Sequence, residues 1–285
     1  MSIYGKILGF VIGFIFLKLP GAIIGLIVGH MFDVGYAKDF SKQGGFARFF
    51  SANGDFKRQA VFFHALFSSL GHISKADGKV TPEEIAVAST LMDNMKLSGE
   101  LRAEAQQAFR DGKARDFPLQ EMLKDFVQHC HGRSDIMQVF LEILISAACA
   151  DGRITQAELN VLEKVAASLG FSRKDLHFLI TSYEAQQRFR QGFHKQQSSQ
   201  QGGQQQGQHQ QYSTKSSLAD AYSILGASER DDDKTIKRAY KKQMSLHHPD
   251  KLSAKGLPPQ ALELAKSKTQ DIQAAYELVK NSRGF

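Results

Sequence analysis

A histidine and an aspartate on either side of one proline are the residues of this 285-residue chain best suited to chemistry: His248, Pro249 and Asp250. An imidazole and a carboxylate can transfer protons or bind a metal ion. The surrounding sequence offers no partner residues for a general base or a metal ligand, and no nucleophile–base pair or phosphate-binding loop. We therefore interpret the tripeptide as two polar groups presented on a stiff turn.

Two helices are predicted to hold this turn. The first begins near residues 231–233, where three aspartates favour a helix N-terminus, and ends near His247. Pro249 cannot continue it and forces His248 into an extended conformation. Its apolar face carries Ile236, Ala239, Tyr240 and Met244. The second helix, at about residues 259–280, is predicted to pack against the first through Leu264, Ile272, Ala275, Tyr276 and Val279.

Basic residues cover the other faces of the first helix: Lys234, Lys237, Arg238, Lys241 and Lys242. A charged helix face is usually just solvated. It is also suited to the phosphates of nucleic acid or to an acidic protein surface. The residue types alone leave these three interpretations open.

Four sequence blocks in this region occur in a recognisable order: Ala221 to Gly226, Ile236 to Lys242, His247 to Lys251, and Asp271 to Leu278. Together they resemble the J-domain of DnaJ-type co-chaperones, from about residue 218 to 285. The resemblance implies that the basic helix meets an acidic surface of a DnaK-type chaperone, and that His248-Pro249-Asp250 triggers its ATP hydrolysis. We therefore predict no enzymatic activity, no cofactor and no nucleic-acid partner. Thr269 stands where the family has an aromatic residue, so the local packing must differ.

The middle of the chain contains an internal duplication. Residues 76–84 match residues 150–158, and similarly spaced apolar residues precede both. Gly78 suits the positive φ of a helix end, and Thr81 with Glu84 forms a capping box for the next helix. The second copy repeats these features at Gly152, Thr155 and Glu158. Each copy is predicted to be helix, tight loop, helix, with further helices at about residues 98–110, 118–131 and 172–189.

No metal site is predicted in the duplicated domain. Asp-Gly followed by an apolar residue and Glu matches the second half of an EF-hand loop, but the opening carboxylates are replaced by Ile73, Lys75, Ala147 and Cys149. A zinc site from His129, Cys130, His131 and Cys149 is disfavoured because adjacent side chains on a helix point in different directions. The doubled Ala-Asp-Gly pattern resembles TerB-like (tellurite-resistance B) domains over about residues 55–190. The resemblance implies an all-α bundle and does not imply a reaction.

A transmembrane anchor is predicted at residues 1–32. Residues 7–31 have the length of one bilayer crossing, although Lys18 costs about 2.5–3.5 kcal/mol on insertion. A buried hairpin broken at Pro20 is an alternative, whereas the long apolar run disfavours a cleaved signal peptide. Glycines at four-residue spacing suit a homodimer through one helix face, or reflect only the frequency of glycine in membrane helices; they are Gly9, Gly13, Gly21, Gly25 and Gly29.

Charges beside the anchor predict its orientation. Lys6 precedes the segment, whereas Lys38, Lys42 and Arg48 follow it, and the more positive side stays in the cytoplasm. We therefore predict a single-pass protein of the bacterial inner membrane with a periplasmic N-terminus and a cytoplasmic body. The chain has only 2 cysteines, which agrees with a reducing compartment.

The predicted all-α order is an anchor (1–32), a juxtamembrane segment (33–54), a TerB-like bundle (55–190), a linker (191–216) and a J-domain (217–285). The Gln-rich linker is too polar to bury a core and is predicted to be a flexible tether. The net charge of +7 is largely dispersed. The arrangement resembles membrane-anchored J-domain co-chaperones, and implies recruitment of a DnaK-type chaperone to the bilayer. The alternative is a membrane sensor or scaffold whose bundle binds a ligand or protein, with the J-domain secondary.

Overall fold

The computed structural model describes the backbone of residues 54–78, 80–150, 152, 154–199 and 209–285. These residues form helices and no strand, which confirms the predicted all-α class. The anchor and its glycines lie outside the described residues. The helices are α1 (Gly54–Ser74), α2 (Pro82–Asn94), α3 (Gly99–Gly112), α4 (Leu119–His129), α5 (Ser134–Ala148), α6 (Gln156–Ser168), α7 (Arg173–Ser199), α8 (His209–Leu225), α9 (Asp233–His247), α10 (Pro249–Ala254) and α11 (Pro259–Arg283).

An aromatic cluster lies at the centre of the bundle that α1 to α7 form. The ring of Phe62 in α1 meets the rings of Phe126 and Phe140 edge-on, with centroid distances of 6.0 and 5.7 Å. Phe126 and Phe140 are themselves 4.5 Å apart. Such pairs contribute roughly 0.5–1.5 kcal/mol each beyond the area they bury. The apolar residues that precede the two Ala-Asp-Gly copies therefore share one core, as their spacing predicts.

Both predicted capping boxes are confirmed. The Thr81 amide donates to the Glu84 carboxylate at 2.7 Å, and the Glu84 amide donates to the Thr81 hydroxyl at 3.2 Å. Thr155 and Glu158 repeat this exchange at 2.8 and 3.2 Å. Because each box satisfies two amides that the helix leaves unpaired, α2 and α6 begin at equivalent places in the two copies.

Helices α1 and α3 cross at a contact between two glycines. A Cβ atom at Gly71 would overlap the backbone carbonyl of Phe109, and one at Gly112 would overlap the carbonyl of Ser68. The His72 Nδ1 atom lies 3.1 Å from the Gly112 carbonyl oxygen and spans the same crossing. The two backbones approach this closely only because neither glycine carries a side chain.

The J-domain consists of α8 to α11. The predicted pairing of its two long helices is confirmed, because Tyr240 of α9 stacks on Tyr276 of α11 with centroids 4.1 Å apart. Thr269 is buried and its hydroxyl donates to the Lys266 carbonyl at 2.7 Å. Leu264 differs from the prediction: it packs on the bundle cluster and not on the J-domain cluster. The reason is that the N-terminal half of α11 faces the bundle.

Helix α7 joins the bundle to the J-domain, and residues Arg58–Phe285 form one compact unit. Its Leu176 and Leu179 lie in the bundle cluster, whereas its Ala185 and Phe189 lie in the J-domain cluster. The described ends of α7 and α8 continue into residues 191–216, where glutamine favours helix. We predicted a J-domain free to search a volume around a tether, but it is packed on the bundle. That contact depends on residues far apart in the chain.

Candidate functional site at the corner between α9 and α10

The corner is built as the sequence predicts. Helix α9 ends at His247, and His248 has extended backbone angles of φ −62° and ψ 121°. Pro249 occupies the first position of α10, where its missing amide hydrogen costs nothing. The His248 side chain caps α10, since its Nδ1 accepts a hydrogen bond from the Asp250 amide at 3.2 Å. The corner therefore fixes the backbone positions from which the imidazole and the carboxylate project.

Both functional side chains are open to solvent. The His248 side chain is 45% exposed and that of Asp250 is 92% exposed, with Nδ1 and the nearer carboxylate oxygen 4.0 Å apart. At that distance the pair is weakly coupled in water. The arrangement suits recognition by another macromolecule more than proton transfer within this chain.

The basic residues of α9 are all exposed: Lys234, Lys237, Arg238, Lys241 and Lys242. The helix begins with a side-chain cap, because Asp232 accepts a hydrogen bond from the Thr235 amide at 2.9 Å. A hydrogen bond from the Thr235 side chain, and after it the bond from the Thr235 amide, lowers the pKa of the Asp232 carboxyl more than the nearby Lys234 and Arg238 do. Lys237 also places its ammonium group 5.1 Å from the centre of the Phe285 ring. The positive face thus runs along the helix that leads into the corner.

A buried contact that the sequence did not reveal lies directly before the corner. The His247 side chain is 1% exposed, and its Nε2 lies 2.9 Å from the Glu142 carboxylate of α5. Its Nδ1 lies 3.0 Å from the Gln243 carbonyl oxygen. Lys268 of α11 lies 3.8 Å from the same carboxylate. His247 opens the sequence block from His247 to Lys251, but nothing in that block pairs it with Glu142.

A second contact lies directly after α10. The Lys255 ammonium group pairs with the Asp135 carboxylate of α5, and the Arg133 guanidinium donates to the Lys255 carbonyl oxygen. Between the two contacts, Leu252 is fully buried within the bundle cluster, and Leu257 is 3% exposed there. The segment that contains the corner is therefore fastened to the bundle on both sides.

Two opposing effects act on the pKa of the Glu142 carboxyl, and burial by itself would raise it. The charges of His247 and Lys268, together with hydrogen bonds from His247 and Gln138, outweigh burial and lower the pKa to about 2. A carboxyl whose pKa is lower in the folded state stabilises the fold above its unfolded pKa, here the ordinary value of 4.5. That stabilisation is lost as the pH falls through the folded value.

Glu142→Gln should therefore destabilise the protein near neutral pH, by a difference that shrinks as the pH falls. The loss should run from about pH 4.5 toward about pH 2, because a protonated glutamate and a glutamine differ little in shape and charge. Urea unfolding of both proteins at a series of pH values measures it. A difference that stays constant over this range would show that the Glu142 charge contributes nothing.

The residues considered for a metal site do not come together. Among the described residues, no group of three His, Cys, Asp or Glu side chains could hold a metal ion. Burial raises the pKa of the Cys130 thiol to about 11, against a smaller opposing effect of Arg133. The His129 ring instead contacts the Asp125 carbonyl oxygen at 2.8 Å.

In the described part of the chain, no helix combines the length and apolar character that a membrane crossing requires.

Known proteins match this chain along its whole length. Residues 1–39 match the co-chaperone DjlA transmembrane domain, residues 63–179 the tellurite resistance protein TerB, and residues 220–283 the DnaJ domain. The co-chaperone protein DjlA of Photobacterium profundum is 46% identical over 284 residues, which is 99% of each chain. Those of Vibrio vulnificus and Aliivibrio fischeri are 48% and 49% identical over 100% of each chain. No solved structure matches the chain. The expected TerB and J-domain resemblances are confirmed.

Proposed function

Because the chain belongs to the DjlA family of membrane-anchored J-domain co-chaperones, we propose that it stimulates ATP hydrolysis by a DnaK-type chaperone. The corner of His248, Pro249 and Asp250 delivers the stimulus. The observation that carries this proposal is the exposure of His248 and Asp250 at a corner whose neighbours on both sides are buried or bound. A surface held in place and left open is ready for a partner.

The basic face of α9 is the docking surface in this proposal. Its five exposed lysine and arginine residues lie on the helix that ends at the corner. An acidic surface on the chaperone would be attracted to it from a distance and oriented on arrival. The corner would then reach the partner in register, without a search over many orientations.

This protein supplies no reacting group in the proposed mechanism. It binds the hydrolysis-competent conformation of the chaperone more tightly than the other conformations, and so raises the population of that conformation. The rate gain is limited by the difference between the two affinities. The chaperone alone performs the chemistry on ATP.

Recruitment to the cytoplasmic face of the inner membrane completes the proposal. Its support is the excess of lysine and arginine after the anchor, because the more positive flank of a membrane segment favours the cytoplasmic side. Protease added to the outside of spheroplasts should then leave the body intact. Digestion of the body would show that the protein has the opposite orientation.

The anchor glycines would bring two copies together. Crosslinking in vesicles that yields only monomers would exclude that association.

The direct test adds the full-length protein, in vesicles, to a purified DnaK-type chaperone under single-turnover conditions. The rate of ATP hydrolysis should rise with the concentration of added protein and then saturate. An unchanged rate over the whole concentration range would contradict the proposed function. Vesicles without protein are the reference.

Reversing charge on the basic face should slow association with the chaperone. Arg238→Glu combined with Lys241→Glu changes two neighbouring residues of one helix face. We expect association to slow by about tenfold at low ionic strength, with a smaller difference in concentrated salt because salt screens exposed charges. Stopped-flow association at several salt concentrations measures both effects.

A matched control reverses two exposed lysines on other helices, Lys124 of α4 and Lys164 of α6. The change in net charge is the same, so only position distinguishes the two variants. Equal slowing by both would attribute the effect to net charge, and would remove the basic face from the proposal.

A further inference from the structure

Helix α5 of the bundle contacts both ends of the corner segment, which runs from His247 to Lys255. Glu142 of α5 contacts His247, the last residue of α9, and Asp135 of α5 pairs with Lys255, the residue after α10. The two carboxylates lie about two helical turns apart and so on nearly the same side of α5. Helix α5 therefore contacts the segment from His247 to Lys255 at its two ends.

Apolar side chains also pack between the corner segment and the bundle. Leu252 of α10 and Leu257 just after it are buried in the cluster that also holds the bundle residues. The α11 residues Ala261 and Ala265 belong to that cluster as well. Leu252 is the buried side chain of α10, and its packing in this cluster holds the short helix against the bundle.

The contact leaves the outward surface open. His248 and Asp250 keep 45% and 92% of their side-chain area exposed while His247 is 1% exposed. The α9 lysines and arginine are exposed too. A bundle that served to block the corner would cover these residues, and it covers their neighbours instead.

We propose that α5 is a brace for the corner, with Glu142 and Asp135 as positioning residues that hold His248 and Asp250 in the orientation the chaperone binds. This inference rests on the proposed function and names the residues that prepare its site. A corner fixed beforehand loses less conformational freedom on binding than one that must be ordered on arrival. The bundle thereby acts on the J-domain directly, and not only by linking it to the membrane.

The test uses the full-length protein and two variants that loosen the brace, Glu142→Gln and Lys255→Met. We expect the concentration for half-maximal ATPase stimulation to rise by about threefold or more in each, with an unchanged maximal rate. Lys255→Arg keeps the positive charge and should behave as wild type. Glu163→Gln is the control, because it removes a carboxylate that pairs with Arg173 at 2.9 Å and not with a residue of the corner segment.

Hydrogen exchange gives an independent measure of the brace. The Leu252 amide donates to the His248 carbonyl at 3.0 Å, and the Leu257 amide donates to the Leu252 carbonyl at 3.0 Å. These amides should exchange faster in Glu142→Gln than in wild type, while amides in α6 keep their rates. A general loss of folding would instead speed exchange throughout and change the far-ultraviolet circular dichroism.

Three results in the variants would overturn the brace and leave the proposed function intact, and a fourth result, in the wild-type protein, would overturn both. Half-maximal concentrations equal to wild type would show that the contact does not affect the partner. Higher stimulation by the variants would show that the bundle restrains the J-domain. Unchanged exchange at Leu252 and Leu257 would show that α5 does not hold the corner. A wild-type protein without any stimulation would refute the proposed function, and the brace with it.

Discussion

Replacing His248 with Gln should abolish stimulation, so that the chaperone hydrolyses ATP at its basal rate, and should leave the fold of this protein intact. The imidazole is 45% exposed at the corner, and its one described hydrogen bond is the cap on the Asp250 amide. Losing an exposed cap costs about 1 kcal/mol, which is small beside the total stability of a domain. The partner, in contrast, loses the group that the corner presents. Single-turnover ATPase assays and far-ultraviolet circular dichroism measure the two effects.

A second histidine gives the control for this experiment. His129 is exposed at the end of α4 and contacts only the Asp125 carbonyl oxygen among its described hydrogen-bond partners. His129→Gln should therefore stimulate like wild type. Wild-type stimulation by His248→Gln would refute the role of the corner. Equal loss in both variants would indicate a general effect of removing a histidine.

Gly112→Ala should produce the largest loss of stability of any change proposed for this chain. The added methyl group would overlap the backbone carbonyl of Ser68, and backbone cannot move aside as a flexible side chain can. Helices α1 and α3 would have to separate, which would disturb the packing of both. We expect a loss of about 3 kcal/mol or more in the free energy of unfolding, measured by urea denaturation.

Gly192→Ala is the matched substitution. Gly192 also lies inside a helix, α7, but the one atom of the described residues that a Cβ atom there would meet is the Ser217 hydroxyl oxygen at 3.4 Å, which is an ordinary contact. Alanine favours helix over glycine by about 1 kcal/mol, so this variant should be as stable as wild type or more stable. If the two variants unfold at the same urea concentration, the close approach of α1 and α3 is not a constraint.

Local patterns in the sequence predicted most of the described fold. Thr81 with Glu84 identified a helix start because a capping box is complete within four residues. Pro249 located the corner because it acts on its immediate neighbours. Neither inference needed any knowledge of distant parts of the chain.

The brace could not be predicted, because its partners are distant in sequence. His247 and Glu142 are separated by 105 residues, and neither belongs to a repeating pattern. The crossing at Gly71 and Gly112 could not be predicted for a related reason. A glycine within a helix shows that a side chain is absent, but the sequence does not show which backbone packs against it. The packing of the J-domain on the bundle follows from such distant pairs.

Helix α7 determines how this protein can be divided for experiments. Because it covers both hydrophobic clusters, a cut before it strips the bundle of Leu176 and Leu179. A cut after it strips the J-domain of Ala185 and Phe189. An excised J-domain would thus expose a hydrophobic surface that promotes self-association. Measurements on the truncated protein would then describe a molecule more prone to aggregate than the full-length one.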